Sequence, residues 1–218
     1  MNRETEIKLK IDNLKAFKRG LKKLGAQMVP GLDRVHEENT IFDTPQGGLA
    51  KHGQLLRIRT ETGGGAKSKK SQKRFIVTFK RPTEQPDGSA SERQTVSHYK
   101  VREEFELDIA DSSMMTKVFE GLGMRGWFRY EKYRTTYRLP SKQTWGKGLL
   151  IEVDETPVGT YVELEGPAEA IDRAAAELGF SKKDYILKNY LTLYVEQCRR
   201  KGEEPKDMLF TEAKSSRK

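Results

Sequence analysis

The sequence predicts an α+β protein, with an antiparallel sheet curled into a closed barrel and helices packed on its outside. Three observations carry that expectation. Seven stretches alternate charged and apolar residues with a period of two, as a strand with two unlike faces does. The charged faces are nearly pure acidic or basic doublets, where a solvated sheet face normally mixes Thr, Ser, Gln and Lys. Four stretches with helical apolar spacing lie between or after the strands and can cover the apolar side.

The elements follow in chain order. Residues 3–11 read as a strand, with Glu4, Glu6 and Lys8 on one face and Ile7, Leu9 and Ile11 on the other. Leu14, Phe17, Leu21 and Leu24 recur at helical spacing over 13–24; Asp12 or Asn13 can cap that helix and Gly25 stops it. Residues 35–45 read as a strand entering a turn, and 54–61 as a strand carrying Arg57 and Arg59. A Gly/Ser/Lys-rich loop is expected over 62–73 and a strand over 74–82, closed by Pro82 and carrying Lys80. After an irregular polar stretch at 83–98, residues 100–110 form a strand with Arg102, Glu104 and Glu106 on one face. A short helix follows near 112–122, then strands over 129–139 (Lys132, Arg134), 148–156 (Glu152, Asp154) and 160–166 (Glu163, Glu165). A helix over 167–178 opens at Pro167 and ends at Gly179, and a last helix spans 183–200 with Ile186, Leu187, Tyr190, Leu191, Tyr194 and Val195 as its stripe. The charged tail over 202–218 reads as loose. A strand with Glu-x-Glu, then a helix, then Leu-Gly occurs three times, ending at Gly25, Gly123 and Gly179; it marks one local geometry used repeatedly more than it marks duplication.

A chain of 218 residues suits one domain and a sizeable core. Its 33% charged residues nearly match its 35% hydrophobic ones, so the charge must lie on a solvated surface or in a site. A net charge of +9 points to an anionic partner. One cysteine, Cys198, excludes an intramolecular disulfide framework, and no apolar run is long enough to span a membrane. A cytoplasmic location is expected. His36, His52 and His98 lack metal-ligand spacing, and the run 62–71 lacks the GxxxxGK[ST] phosphate-loop pattern.

The charged faces allow two readings. An open sheet could turn them to water, as antiparallel sheets often do. But like charges about 4 Å apart repel by ~4 kcal/mol at an effective dielectric near 20, so neighbouring Glu-x-Glu strands need counter-charge. A barrel with its charges inward supplies it, and about eight strands suffice to close one. Its carboxylates would suit Mg²⁺ or Mn²⁺, and its arginines would suit phosphate. Acid and base in one cavity fit a metal–polyphosphate site better than a nucleic-acid groove, which would be basic throughout.

These residues resemble the CYTH proteins, or triphosphate tunnel metalloenzymes, which include class IV adenylate cyclases, thiamine triphosphatases and inorganic triphosphatases. The resemblance rests on ExExK (Glu4, Glu6, Lys8), IFDTP (41–45), LLRIR (55–59), TFKRP (78–82), EEFELD (103–108), YRTTYRL (133–139), IEVDETPVGTYVELEG (151–166) and DYILKNYLTLY (184–194). It implies an eight-stranded antiparallel tunnel over 1–201 that binds a small-molecule triphosphate and a divalent metal, as a monomer or homodimer. Lys8, Arg57, Arg59, Lys80 and Arg134 would grip phosphate, with Lys132 a neighbour and Lys8 also a catalytic candidate. Glu4, Glu6, Glu106, Asp154, Glu163 and Glu165 would hold metal, with Glu104 and Glu152 beside them. Arg102 receives no role. Ile41 stands where thiamine triphosphatases carry a tyrosine, which counts against that substrate. The resemblance implies a metal-dependent triphosphatase; a cyclase making cyclic AMP and pyrophosphate from ATP, and a non-catalytic polyphosphate- or nucleotide-binding module, are the alternatives.

Overall fold

The computed structural model describes residues 3–63, 73–83 and 98–211. The readings for the interiors of 62–73 and 83–98, and for the tail beyond 211, lie outside the described residues.

The strands are β1 (Arg3–Ile11), β2 (Gln27–Met28), β3 (Val35–Asp43), β4 (Leu55–Thr62), β5 (Lys73–Pro82), β6 (Lys100–Ile109), β7 (Arg125–Arg138), β8 (Leu150–Thr156) and β9 (Gly159–Glu165). The helices are α1 (Leu14–Leu24), α2 (Gly48–Lys51), α3 (Ser112–Gly121), α4 (Ala168–Glu177) and α5 (Tyr190–Lys201). The strand order is β2-β7-β3-β4-β5-β6-β1-β9-β8, and β8 also pairs with β7. That last pairing shuts the sheet into an antiparallel barrel of eight strands and leaves the two-residue β2 outside it. The expected closure is therefore present, and the open sheet is not.

The apolar core is a shell around the barrel. Ile7 and Leu9 of β1, Ile151 and Val153 of β8, and Val162 and Leu164 of β9 face outward, none more than 3% exposed. They bury against Phe17, Leu21 and Leu24 of α1 and Ala170, Ile171, Ala174 and Ala175 of α4. Asn13 caps α1 by accepting from the Ala16 N–H at 2.9 Å, and α1 ends at Gly25 with φ +78°. Gly123 and Gly179 adopt the same left-handed conformation, so the recurring Leu-Gly is one helix stop used three times. A second cluster packs Phe119 of α3 on Phe42, Leu56 and Ile58. Cys198 is buried on α5, as expected of a small packing residue. Among the described residues no helix is long and apolar enough to cross a membrane.

Three expectations need correction. Helices do not cover the outer face everywhere: Phe105 and Leu107 of β6 are 51% and 63% exposed, and Met114 and Val118 of α3 and Leu122 just after it are exposed too. The last helix begins at Tyr190, not 183, because Asn189 caps it by accepting from the Thr192 N–H at 2.8 Å. Upstream, Ile186 is extended and exchanges backbone hydrogen bonds with Lys8 (3.0 and 2.8 Å), which a helix would forbid. The start of the tail is not loose: Met208 is 1% exposed and pairs its backbone with Arg129 and Glu131. Asp207 also bonds the Arg129 side chain at 2.8 Å, and the Phe210 ring lies 5.2 Å from that of Tyr133.

Candidate functional site

Strand parity sends the charged doublets inward. The lumen is a cavity of about 250 Å³. Its wall carries eight cationic side chains (Lys8, Arg57, Arg59, Lys80, Lys100, Arg102, Lys132, Arg134) and seven carboxylates (Glu4, Glu6, Glu104, Glu106, Glu152, Glu163, Glu165). All the candidates are thereby brought together except Asp154, which is fully buried beneath them. Arg102, placed on the charged face but given no role, lines the lumen as well; sequence reasoning missed Lys100, Glu37, Asn39, Tyr130 and Tyr190. Glu37 and Asn39 were findable: Phe42 points out from β3, so the odd-numbered positions must point in.

The lumen is cross-linked by its own charges. Register explains most pairs: Glu4 lies opposite Arg102, Lys80 opposite Glu104, Arg134 opposite Asp154, and Lys8 opposite Glu163. Lys80 Nζ reaches Glu4 at 2.7 Å and Glu104 at 3.0 Å. Lys8 Nζ reaches Glu163 at 2.9 Å, and Glu6 pairs with Lys100. Arg134 grips Asp154 through two bonds of 2.7 Å and also meets Glu152 and Glu163. Arg57 donates to the Tyr130 hydroxyl at 3.1 Å and to Thr78 at 3.0 Å, while Thr78 donates to Glu106 at 2.9 Å. Glu106 is the most open of these acids, its side chain 42% exposed.

One end of the lumen is closed by the entry to α5. Tyr190 donates its hydroxyl to Asp154 at 2.7 Å, and its ring lies 5.3 Å from Lys8 Nζ and 5.4 Å from Lys132 Nζ. Burial pushes the Tyr190 phenol well above its ordinary pKa, and the nearby Asp154 carboxylate adds to that. Tyr130 behaves oppositely: burial pushes it up, but Arg57, Lys132 and Arg59 outweigh burial and lower it. Ile41 lines the same wall as Tyr130 and brings no polar group there.

The carboxylates divide by environment. Burial works against ionised Glu6 and Glu163, yet Lys8 and its neighbours hold both below the usual carboxylate range. Burial raises Glu165 to about 8, and the carboxylates of Glu152 and Glu4 add to the rise. Burial likewise takes Glu104 to about 7 against the pull of Lys80, and Glu152 to about 6 against that of Arg134. Glu4, Glu104, Glu152 and Glu165 form an acid-rich region in which Lys80 and Arg134 are the paired cations. All are oxygen donors of the kind hard divalent cations take. As they stand, no three acidic side chains among the described residues converge on one ion; Lys80 lies between Glu4 and Glu104.

With this geometry in hand, the relatives are informative. A candidate adenylate cyclase of Methanocaldococcus jannaschii is 28% identical over 195 residues, which is 87% of this chain and 97% of that protein. The structure of the PH1819 protein of Pyrococcus horikoshii superposes with a TM-score of 0.67 at 20% identity, covering 89% of this chain and 99% of that one. A Hippeastrum protein, described as a candidate adenylyl cyclase with a dominant triphosphatase activity, superposes at a TM-score of 0.51 and 22% identity, covering 93% and 97% of the two chains. The last two likenesses establish the fold. The CYTH domain model matches residues 2–190, and the chain belongs to the CYTH family.

Proposed function

We propose that the protein is a divalent-metal-dependent triphosphatase that binds its substrate along the lumen. The observation that carries this reading is the cavity itself, where eight cationic side chains and seven carboxylates face one enclosed channel. Every described lysine and arginine among the sequence candidates already has a carboxylate or hydroxyl partner, so an entering phosphate chain must exchange with those partners. A substrate that arrives with a divalent cation brings positive charge to the acid-rich region, and its phosphates can exchange places with carboxylates on the arginines. The residues present therefore fit Mg²⁺ or Mn²⁺: Glu4, Glu104, Glu152 and Glu165 would hold it, with Glu6, Glu106, Glu163 and Asp154 reaching it directly or through water.

When bound, the metal would neutralise phosphate oxygens and favour ionisation of the attacking group. The chain supplies positioning. Arg57, Arg59 and Arg134 present planar guanidiniums suited to two phosphate oxygens each, while Lys8, Lys80 and Lys132 act as point charges. Lys8, whose ammonium is held charged by Glu163 and Glu6 despite burial, is suited to gripping phosphate and not to accepting a proton. In hydrolysis, water oxygen bonds to a terminal phosphorus, the bridging P–O bond breaks, and phosphate and pyrophosphate leave. Such chemistry asks mainly for orientation and charge neutralisation.

A second reading, a cyclase, is favoured by the name of the M. jannaschii relative. The test is a panel of tripolyphosphate, ATP and thiamine triphosphate with Mg²⁺ or Mn²⁺ and product identification. Phosphate released from tripolyphosphate supports the triphosphatase; cyclic AMP from ATP replaces it with the cyclase; tight binding without turnover replaces both with a binding module.

A further inference from the structure

Beyond the main cavity lies a smaller one of about 160 Å³. The two share one wall, formed by the side chains of Arg59, Glu106, Arg134 and Glu152, which line both. Glu37 faces only the smaller chamber. It is 1% exposed and stands on β3, opposite Glu61 on β4 and Lys132 on β7. Its carboxylate lies 3.3 Å from Arg59, 3.4 Å from Lys132 and 3.6 Å from Arg134. The Oε2 atom makes no hydrogen bond, so these contacts are ion pairs at a distance and not a closed hydrogen-bonded set. Burial pushes this carboxyl up, but Arg59, Lys132 and Arg134 outweigh burial and lower it to about 2.

Glu37 was given no role by the sequence. Within the triphosphate reading, on which this inference rests, its place is specific. A linear polyphosphate sliding along the lumen meets Lys132, Arg59 and Arg134 from the main-cavity side. On the far side of the same cations it meets a fixed negative charge. The next phosphate would have to displace that carboxylate from three cations at once. Beyond Glu37 the smaller chamber runs on, lined by Thr136 and by Arg74 and Glu61, which pair at 3.5 Å, so space continues past Glu37.

We propose that Glu37 is an internal stop that fixes how deep a phosphate chain can enter, so that the lumen reads the end of a linear polyphosphate and holds about three phosphates of it. Longer chains then bind by one end, with the remainder outside. Glu37→Gln keeps the shape of the side chain and removes its charge, and with it the electrostatic barrier to a further phosphate.

The experiment is calorimetric titration of the full chain with linear inorganic pyrophosphate, tripolyphosphate, tetrapolyphosphate and a longer chain. It is run first without divalent metal, so that no turnover intervenes, and then with it. For the wild type, affinity should climb up to tripolyphosphate and then level off, changing by less than about 2-fold for longer chains. For Glu37→Gln it should keep climbing, with the longer chain favoured over tripolyphosphate by roughly 10-fold or more, the worth of one or two further charge-assisted contacts. Adding Arg74→Ala, whose parent side chain is 55% exposed, should abolish that extra gain. Wild-type affinity that continues to rise beyond three phosphates overturns the stop, and this holds even if Glu37→Gln does not fold. So does a Gln variant whose affinities all rise by one common factor, which would mean that Glu37 merely balances charge. A wild type that binds no tripolyphosphate under either condition is a different failure, that of the triphosphate reading itself.

Discussion

Tyr190, the first residue of α5, donates its hydroxyl to Asp154 at 2.7 Å, and so ties an outer helix to the charged interior of the barrel. Asp154 also accepts from Lys132 and Arg134, which makes it the node at which three elements meet. Tyr190→Phe keeps the ring against Lys8 and Lys132 and deletes only this bond. A buried hydrogen bond to a charged group contributes about 1.5–3 kcal/mol, so the variant should lose about that much stability in urea unfolding. A loss well under 0.5 kcal/mol would mean that the node holds without its phenol.

Arg57 lies on the lumen wall with a hydroxyl on each side, Tyr130 and Thr78, and Glu106 at 3.6 Å. Such a guanidinium can turn to phosphate at small cost. Arg57→Ala should lower kcat/KM for tripolyphosphate by about 100-fold or more. Phosphate-release kinetics beside a melting curve separate this from unfolding. Unchanged kinetics would remove Arg57 from the proposed site.

Asp43, in the IFDTP stretch, accepts from the backbone N–H groups of Thr44, Leu49 and Ala50 at 2.7, 2.8 and 2.9 Å. Burial raises its carboxyl, but the Ala50, Leu49 and Thr44 donors outweigh that and hold it below its ordinary value. A carboxyl lowered by folding stabilises fully above its unfolded pKa, and that contribution drains away as pH falls through the folded one. Urea midpoints measured from about pH 6 down to about pH 2 should therefore fall more steeply for the wild type than for Asp43→Asn. Parallel curves would show that the three donors are satisfied equally well without the charge.

Met208 tests the correction made to the tail. It is 1% exposed and packs with Phe128, Tyr130, Tyr161 and Tyr190 in one cluster. Met208→Ala should cost about 2–5 kcal/mol, as truncation of a buried large side chain does. A change near zero would show the segment to be detachable.

Much of this architecture could be read from the chain because the inward faces of β1, β4, β6, β8 and β9 are chemically pure. Glu-x-Glu or Arg-x-Arg two residues apart leaves no doubt about parity. On β3 the inward face reads Glu37, Asn39, Ile41, a mixture that imitates an ordinary strand, and so Glu37 escaped notice. Tyr190 reads as part of an apolar stripe because the pattern registers its ring and not its hydroxyl. The start of α5 was misplaced for a related reason: Ile186 and Leu187 fit helical spacing, but the Asn189 cap and the pairing of Ile186 with Lys8 are settled by tertiary contact. Closure itself was inferred from charge repulsion, while the identity of the closing pair, β7 with β8, needed the structure.

The strands keep their two jobs on opposite sides. Ile7, Leu9, Val162 and Leu164 secure folding from without, while Glu6, Lys8 and Glu163 on the same strands face the channel. Residues that alternate in sequence thus answer to separate physical demands. A lineage could rewrite the inner set one position at a time, altering which anion is taken or what becomes of it, while the outer set goes on specifying the same scaffold.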